Sequence, residues 1–378
     1  MKPFFKNIGI GLMLGVGVML PAYAELILPA PLSSSFSLDL QWQIQTGQRN
    51  PTDYLLLKPT YFHDYLYTVD AKGIVSAWNI FSGEKIWRQR LDVPVNSSPI
   101  ASKKNIFLGT ADGELIALST QDGTIKWRKQ LAGEVLSAPV LTHGQVFIKT
   151  ENDELYSFER DKGHLQWVYQ AGVPSVSLRI GSSPAVSDSL VVAGFSKGEV
   201  VALDQETGRK EWAQAISLSP GTGIKQVNSI NATPKIKDNK IYVLAYQSDL
   251  VALDLKTGRI FWKYPVSGFT DITLANDQIF LSDESGQVWA FSASSGMVLW
   301  RQTQLKGQSL TTPVVKDSVV FVSDHHGNII QLSAQSGQIL SRFQFRSGDI
   351  MASLFLLKDR LYLYTSDGEL LCYQLSRS

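Results

Sequence analysis

The feature that most limits what this chain can fold into is a tryptophan returning at a near-constant interval. Glycine followed four residues later by tryptophan occurs at Gly83/Trp87, Gly123/Trp127, Gly163/Trp167, Gly208/Trp212, Gly258/Trp262 and Gly296/Trp300. A seventh copy, Gly337 to Ser341, keeps the glycine and has serine where tryptophan stood. Trp42 closes a similar apolar stretch, Leu38 to Trp42, without the glycine. The eight positions lie 45, 40, 40, 45, 50, 38 and 41 residues apart. Such a period marks a repeat architecture, in which no unit buries its apolar face alone and each must stack on the next.

The unit at 231–266 shows what one repeat contains. Asn231 to Ile236 opens as a strand, with Pro234 near its start where a missing N–H is tolerated. Asp238-Asn239 turns into Lys240 to Tyr246, which is β-branched, aromatic and apolar and reads as a buried strand. Leu250 to Asp254 is a third strand, and Lys256-Thr257-Gly258 turns into a fourth, Arg259 to Tyr264. Four short antiparallel strands per unit are the signature of a propeller blade. The turn before each third strand gives a second count of eight. Gly73, Gly113, Gly198, Gly286, Gly327 and Gly368 occupy it, with Asp153 and Asp249 expected in the glycine's place in two copies. A positive φ there would suit both residue types. Small–small–Pro sequences such as Ser97-Ser98-Pro99 and Thr311-Thr312-Pro313 precede first strands, as expected for segments crowded around an axis.

The chain ends on three strands, Leu354 to Leu357, Leu361 to Tyr364 and Leu370 to Tyr373, with no fourth after them. The Trp42 strand supplies it. The fold class expected is therefore an all-β, eight-bladed propeller of four-stranded antiparallel blades, closed by pairing of the N- and C-terminal strands, which removes a free sheet edge. Trp42, Trp87, Trp127, Trp167, Trp212, Trp262 and Trp300 are its expected structural anchors between neighbouring sheets, each burying about 200 Å².

Residues 1–24 read as a signal peptide: Lys2 and Lys6, an apolar stretch from Ile8 to Leu20, and Ala22-Tyr23-Ala24 as the cleavage site. Residues 25–36, with Pro29, Pro31 and three serines, read as a flexible lead-in, and 37–378 as the propeller. An exported, periplasmic protein is expected. The 378 residues carry 35 Lys+Arg against 34 Asp+Glu, a balance that supplies no basic excess for a nucleic-acid partner. Cys372 is the one cysteine, so no intramolecular disulfide or thiolate cluster can form.

Units closed by acid-x-x-Thr-Gly-x-x-x-Trp, as in Asp204 to Trp212 and Asp254 to Trp262, resemble the pyrroloquinoline-quinone-like repeat over essentially all of 38–376. Three stretches are more specific: Val176 to Pro184, Ile230 to Pro234, and Leu244 to Asp254. With them the chain is similar to the BamB family, propellers of the machinery that inserts β-barrels into the bacterial outer membrane. The resemblance implies a non-enzymatic scaffold without a cofactor or metal. Its implied partner is the central barrel subunit, bound through its periplasmic POTRA repeats, with nascent outer-membrane proteins as a further partner. It implies that a Leu-x-Leu-Arg contact loop corresponds to Val176-Ser177-Leu178-Arg179. A second family contact loop, two acids flanking a valine, corresponds to Ser229-Ile230-Asn231, where both charges are absent. Members are commonly lipidated at a cysteine ending the leader; no cysteine stands there in this chain, so no direct lipid anchor is expected.

The residues themselves point to the same rim. The 50-residue spacing and one of the two 45-residue spacings are consecutive, so extra loop falls in adjacent blades, around 173–181 and 218–231. An exposed Val176, Leu178, Arg179 group is a credible binding hot spot; capping of an inter-blade core is the plainer role for Leu178. Two other functions are weighed. A pyrroloquinoline-quinone-dependent dehydrogenase would resemble the chain in its blades, yet usually adds calcium and a disulfide of adjacent cysteines, which one cysteine cannot make. A ligand-sensing propeller would use its central channel. His325-His326 sits in a blade turn without a visible third ligand.

Overall fold

Alternation of apolar and polar residues, punctuated by turn residues every few positions, leaves each unit one solution, a meander of four strands. In the computed structural model, which describes residues 35–47, 57–172, 181–216, 229–344 and 354–377, the strands form eight four-stranded antiparallel sheets. Blades 1 to 7 span 60–90, 100–130, 140–170, 185–215, 235–265, 273–302 and 314–344. Blade 5 is representative: Lys235–Lys237, Lys240–Leu244, Asp249–Asp254 and Ile260–Pro265 pair in order. Its first turn has two residues, Asp238 (φ 49°) and Asn239 (φ 62°), the left-handed pair that matches strand twist in tight hairpins.

Blade 8 joins the chain ends. Phe36–Gln45 pairs antiparallel with Glu369–Arg377, which continues to Arg360–Tyr364 and Phe355–Leu357. Phe36, expected at the end of the lead-in, is the first residue of its strand and is buried. The core lies between blades. Second and third strands are buried along most of their length, and one cluster combines Tyr67, Val69 and Val75 of blade 1 with Ile106, Leu108 and Ile116 of blade 2.

The glycine and tryptophan of the repeat belong together across blades. Each tryptophan ring lies on the glycine of the following unit: Trp42 on Gly83, Trp87 on Gly123, and so on to Trp300 on Gly337. A Cβ on any of the seven glycines would come within 3.0 Å of that ring, and their φ values of 69–74° already exclude most side chains. Six of the seven indole N–H groups donate to a carbonyl of the same following turn, as Trp212 does to Leu255 (3.0 Å) and Trp300 to Ala334 (2.8 Å). The Trp127 indole has no such acceptor. Each of these tryptophans thus touches the turn of the neighbouring blade.

Seven pairs leave one interface of eight without either member, between blades 7 and 8. Ser341 stands there opposite Gln331, where other blades set tryptophan opposite alanine, serine or, in blade 8, Cys372. Phe36 reaches in from blade 8, its ring 5.9 Å from Phe321. Gln331 clasps the Phe36 backbone, accepting from its N–H (2.8 Å) and donating to its carbonyl (2.7 Å).

Turns before the third strands carry positive φ at Gly73, Gly113, Asp153, Gly198, Gly286, Gly327 and Gly368. Asp249 departs from expectation. That turn is shifted, so Asp249 begins the strand in extended backbone and Gln247 takes the left-handed conformation (φ 51°). These turns pack against the connections between blades, as in the Leu91 N–H to Gly73 O bond, and define one face of the ring, here the connector face. The other face carries the first and third turns of each blade.

Candidate functional site

The connections 172–181 and 216–229, which follow blades 3 and 4, both leave from the connector face. Val176, Leu178 and Arg179 lie outside the described residues. Between the flanking described segments is a small cavity of about 30 Å³, lined by Leu136, Ser137, Lys149, Thr150, Glu151, Asp153, Gly181, Ser196 and Ser229-Ile230-Asn231. Gly181 is required where it stands: a Cβ would lie 2.7 Å from the Leu136–Ser137 backbone.

Ser229 and Asn231 form the wall of this cavity and offer little surface, being 3% and 6% exposed. Ser229 accepts the Tyr246 N–H through its carbonyl (3.0 Å), and its hydroxyl donates to Asn231 Oδ1. Asn231 Nδ2 is buried without a hydrogen-bond partner. Ile230 fills the space that Gly194 leaves by lacking a side chain. A pair of carboxylates at 229 and 231 would have to be desolvated at these sites, which explains physically why small neutral residues fit here.

Sequence reasoning missed Lys149. It sits at the end of the second strand of blade 3, where other blades have residues such as Gly109, Gly194 and Leu244. Its ammonium reaches blade 4, donating to the Ser182 hydroxyl (3.1 Å) and the Gly194 carbonyl (2.6 Å), 5.5 Å from the Phe195 ring centre. Burial pulls its pKa down to about 8, with Asp153 opposing the shift. Asp153, also buried, accepts from the Ser196 N–H and hydroxyl, so two polar links cross the interface of blades 3 and 4.

Lys58 and Asp271, also missed, face each other across the central opening at 3.2 Å. Their signal was available: both stand where the aligned units otherwise have Ser98, Ala138, Ser183, Thr233 or Thr312. His325 and His326 are exposed in a turn of blade 7, and no group of three metal-ligating side chains exists among the described residues. No helix of the described residues is long and apolar enough to cross a membrane.

The family model described as outer membrane protein assembly factor BamB matches residues 39–132, 71–302 and 291–376, which together span the ring. The chain belongs to the BamB family. BamB of Legionella pneumophila (strain Paris) is 38% identical over 276 residues, covering 72% of each chain. BamB of Escherichia coli (strain K12) is 30% identical over 299 residues, 76% of each. The crystal structure of BamB from Moraxella catarrhalis superposes with a TM-score of 0.80 at 27% identity, over 89% of this chain and 100% of that one. The quinohemoprotein alcohol dehydrogenase of Comamonas testosteroni has a TM-score of 0.73 at 13% identity, over 89% of this chain and 76% of that one, a likeness of fold alone. BamB proteins are assembly factors, and this member of the family is accordingly non-enzymatic.

Proposed function

We propose that the protein is a periplasmic docking scaffold of outer-membrane β-barrel assembly, which binds the POTRA region of the central barrel subunit through its connector face. The observation that carries this reading is that the long connections after blades 3 and 4, 171–184 and 216–234, start from one face of the ring, with Gly181 and Ser229–Asn231 at their described ends lining one cavity. Rigid sheets beneath a rim of loops are the arrangement by which a propeller presents binding residues. Val176, Leu178 and Arg179 supply the apolar and guanidinium anchors that dominate such contacts. Ser229 and Asn231 serve as the wall on which that loop is mounted, consistent with their burial. Attachment to the membrane then comes through the partner.

The double substitution Leu178→Ala/Arg179→Ala tests it. Capture of the purified POTRA region should be lost, while circular dichroism and the unfolding midpoint stay at wild-type values. Undiminished capture would remove this loop from the interface.

A further inference from the structure

Seven described blades place one residue at the same axial station, two positions before the first-strand residue that pairs with Tyr67, Phe107, Phe147, Val192, Tyr242, Phe280 or Phe321. Five of these are small: Ser98, Ala138, Ser183, Thr233 and Thr312. The other two are Lys58 of blade 1 and Asp271 of blade 6, which are not neighbours in the ring. Their 3.2 Å ion pair therefore spans the central opening, with side-chain exposures of 36% and 24%.

Each end is tied to the blade beside it. The Lys58 N–H donates to the Ser98 hydroxyl (2.7 Å), and Asp271 Oδ1 accepts the Thr233 N–H (2.8 Å) while Oδ2 takes the ammonium. Thr233 is two residues beyond Asn231. Polar contacts thus run from Thr233 through Asp271, across the opening to Lys58 and blade 2, and the two-residue step of backbone from Thr233 to Asn231 joins them to the cavity wall.

We propose that Lys58 and Asp271 are positioning residues, a strap across the opening that holds the backbone at Thr233 and so fixes the Ser229–Asn231 wall of the docking cavity. Its importance for binding rests on the function proposed above; the strap itself does not. Burial would raise the Asp271 carboxyl, but the ammonium of Lys58, then Lys235 and the Thr233 amide, overcome it and hold the group well below the usual carboxylate range, as a permanently charged anchor requires.

Amide hydrogen exchange on the full-length protein, followed by mass spectrometry over 229–236, reads the strap directly. Lys58→Met should speed exchange of that segment about tenfold or more while the buried strand Lys240–Leu244 stays protected. Lys58→Arg, which keeps a cation, should restore protection. Asp271→Asn, which keeps an acceptor for Thr233 and gives up the charge, should loosen the segment in the same direction. Wild-type exchange at 229–236 in both Lys58→Met and Asp271→Asn would overturn the proposal. Faster exchange with undiminished POTRA capture would uphold the strap and strike Ser229–Asn231 from the docking site.

Discussion

At the scale of single residues, the buried lysine of blade 3 makes the sharpest statement. Lys149 is charged in the unfolded chain up to an ordinary lysine pKa near 10.5, and in the folded protein only up to about 8. Between those values the unfolded state holds the extra proton, so stability rises with pH by at most about 1.4 kcal/mol per pH unit; below 8 the full penalty of burying the charge is present. Lys149→Met should abolish that rise. Denaturant titrations from pH 7 to 10.5 should give wild-type and variant curves that converge or cross as pH increases. Parallel curves would show that the ammonium is not desolvated as its contacts indicate. Burial also raises the phenols of Tyr67 and Tyr373, to about 12, and their effect is common to both proteins and cancels in the comparison.

The outer strand and its turn are the element on which the ring is built, and the interface of blades 7 and 8 shows how one interface manages without the usual pair. Gln331→Ala would leave the buried Phe36 N–H and carbonyl unpaired, at about 1–3 kcal/mol each, so a loss of roughly 2–6 kcal/mol is expected in urea unfolding with little change in slope. Loss within 0.5 kcal/mol of zero would mean that the Phe36 ring alone seals that interface. Much of this element was legible in the sequence. Periodicity reports what recurs, and the strand count, the anchoring tryptophans and the closure of blade 8 all recur or follow by subtraction. What fills the exceptional interface did not, because Phe36 and Gln331 are 295 residues apart and Phe36 lies beside a Pro- and Ser-rich stretch that reads as linker. The Asp249 turn was misread for a related reason: a one-residue shift in a turn is invisible until the register is fixed on both sides. Lys58, Lys149 and Asp271 escaped because each departs from the repeat, and departures acquire meaning only when the opposite side of the ring is known. Of the expected contact residues, Ser229 and Asn231 were placed by resemblance at positions whose burial no local pattern reveals.

On the scale of the whole molecule, the ring depends on ten residues from one end of the chain. Phe36–Gln45 supplies the outer strand of blade 8, the Trp42 ring that seats on blade 1 and the Phe36 ring that seats on blade 7. A protein beginning at Thr46 should lack three things at once: a strand and both interfaces flanking blade 8. It is expected to lose its single cooperative unfolding transition and to elute as aggregates, because the edge of Glu369–Arg377 is then open to pairing. A synthetic peptide of residues 35–46 should restore the near-ultraviolet circular dichroism. An unchanged melting profile without the peptide would show that seven blades and a fragment suffice. The connector face is held in one frame only while the circle is complete. Because Phe36–Gln45 pairs with Glu369–Arg377, a chain that enters its folding compartment from the N-terminal side cannot finish its circle until Arg377 has followed. Until then every intermediate carries an unsatisfied sheet margin, and the time spent in that state, rather than the strength of the finished ring, sets how much chaperone cover the nascent chain needs.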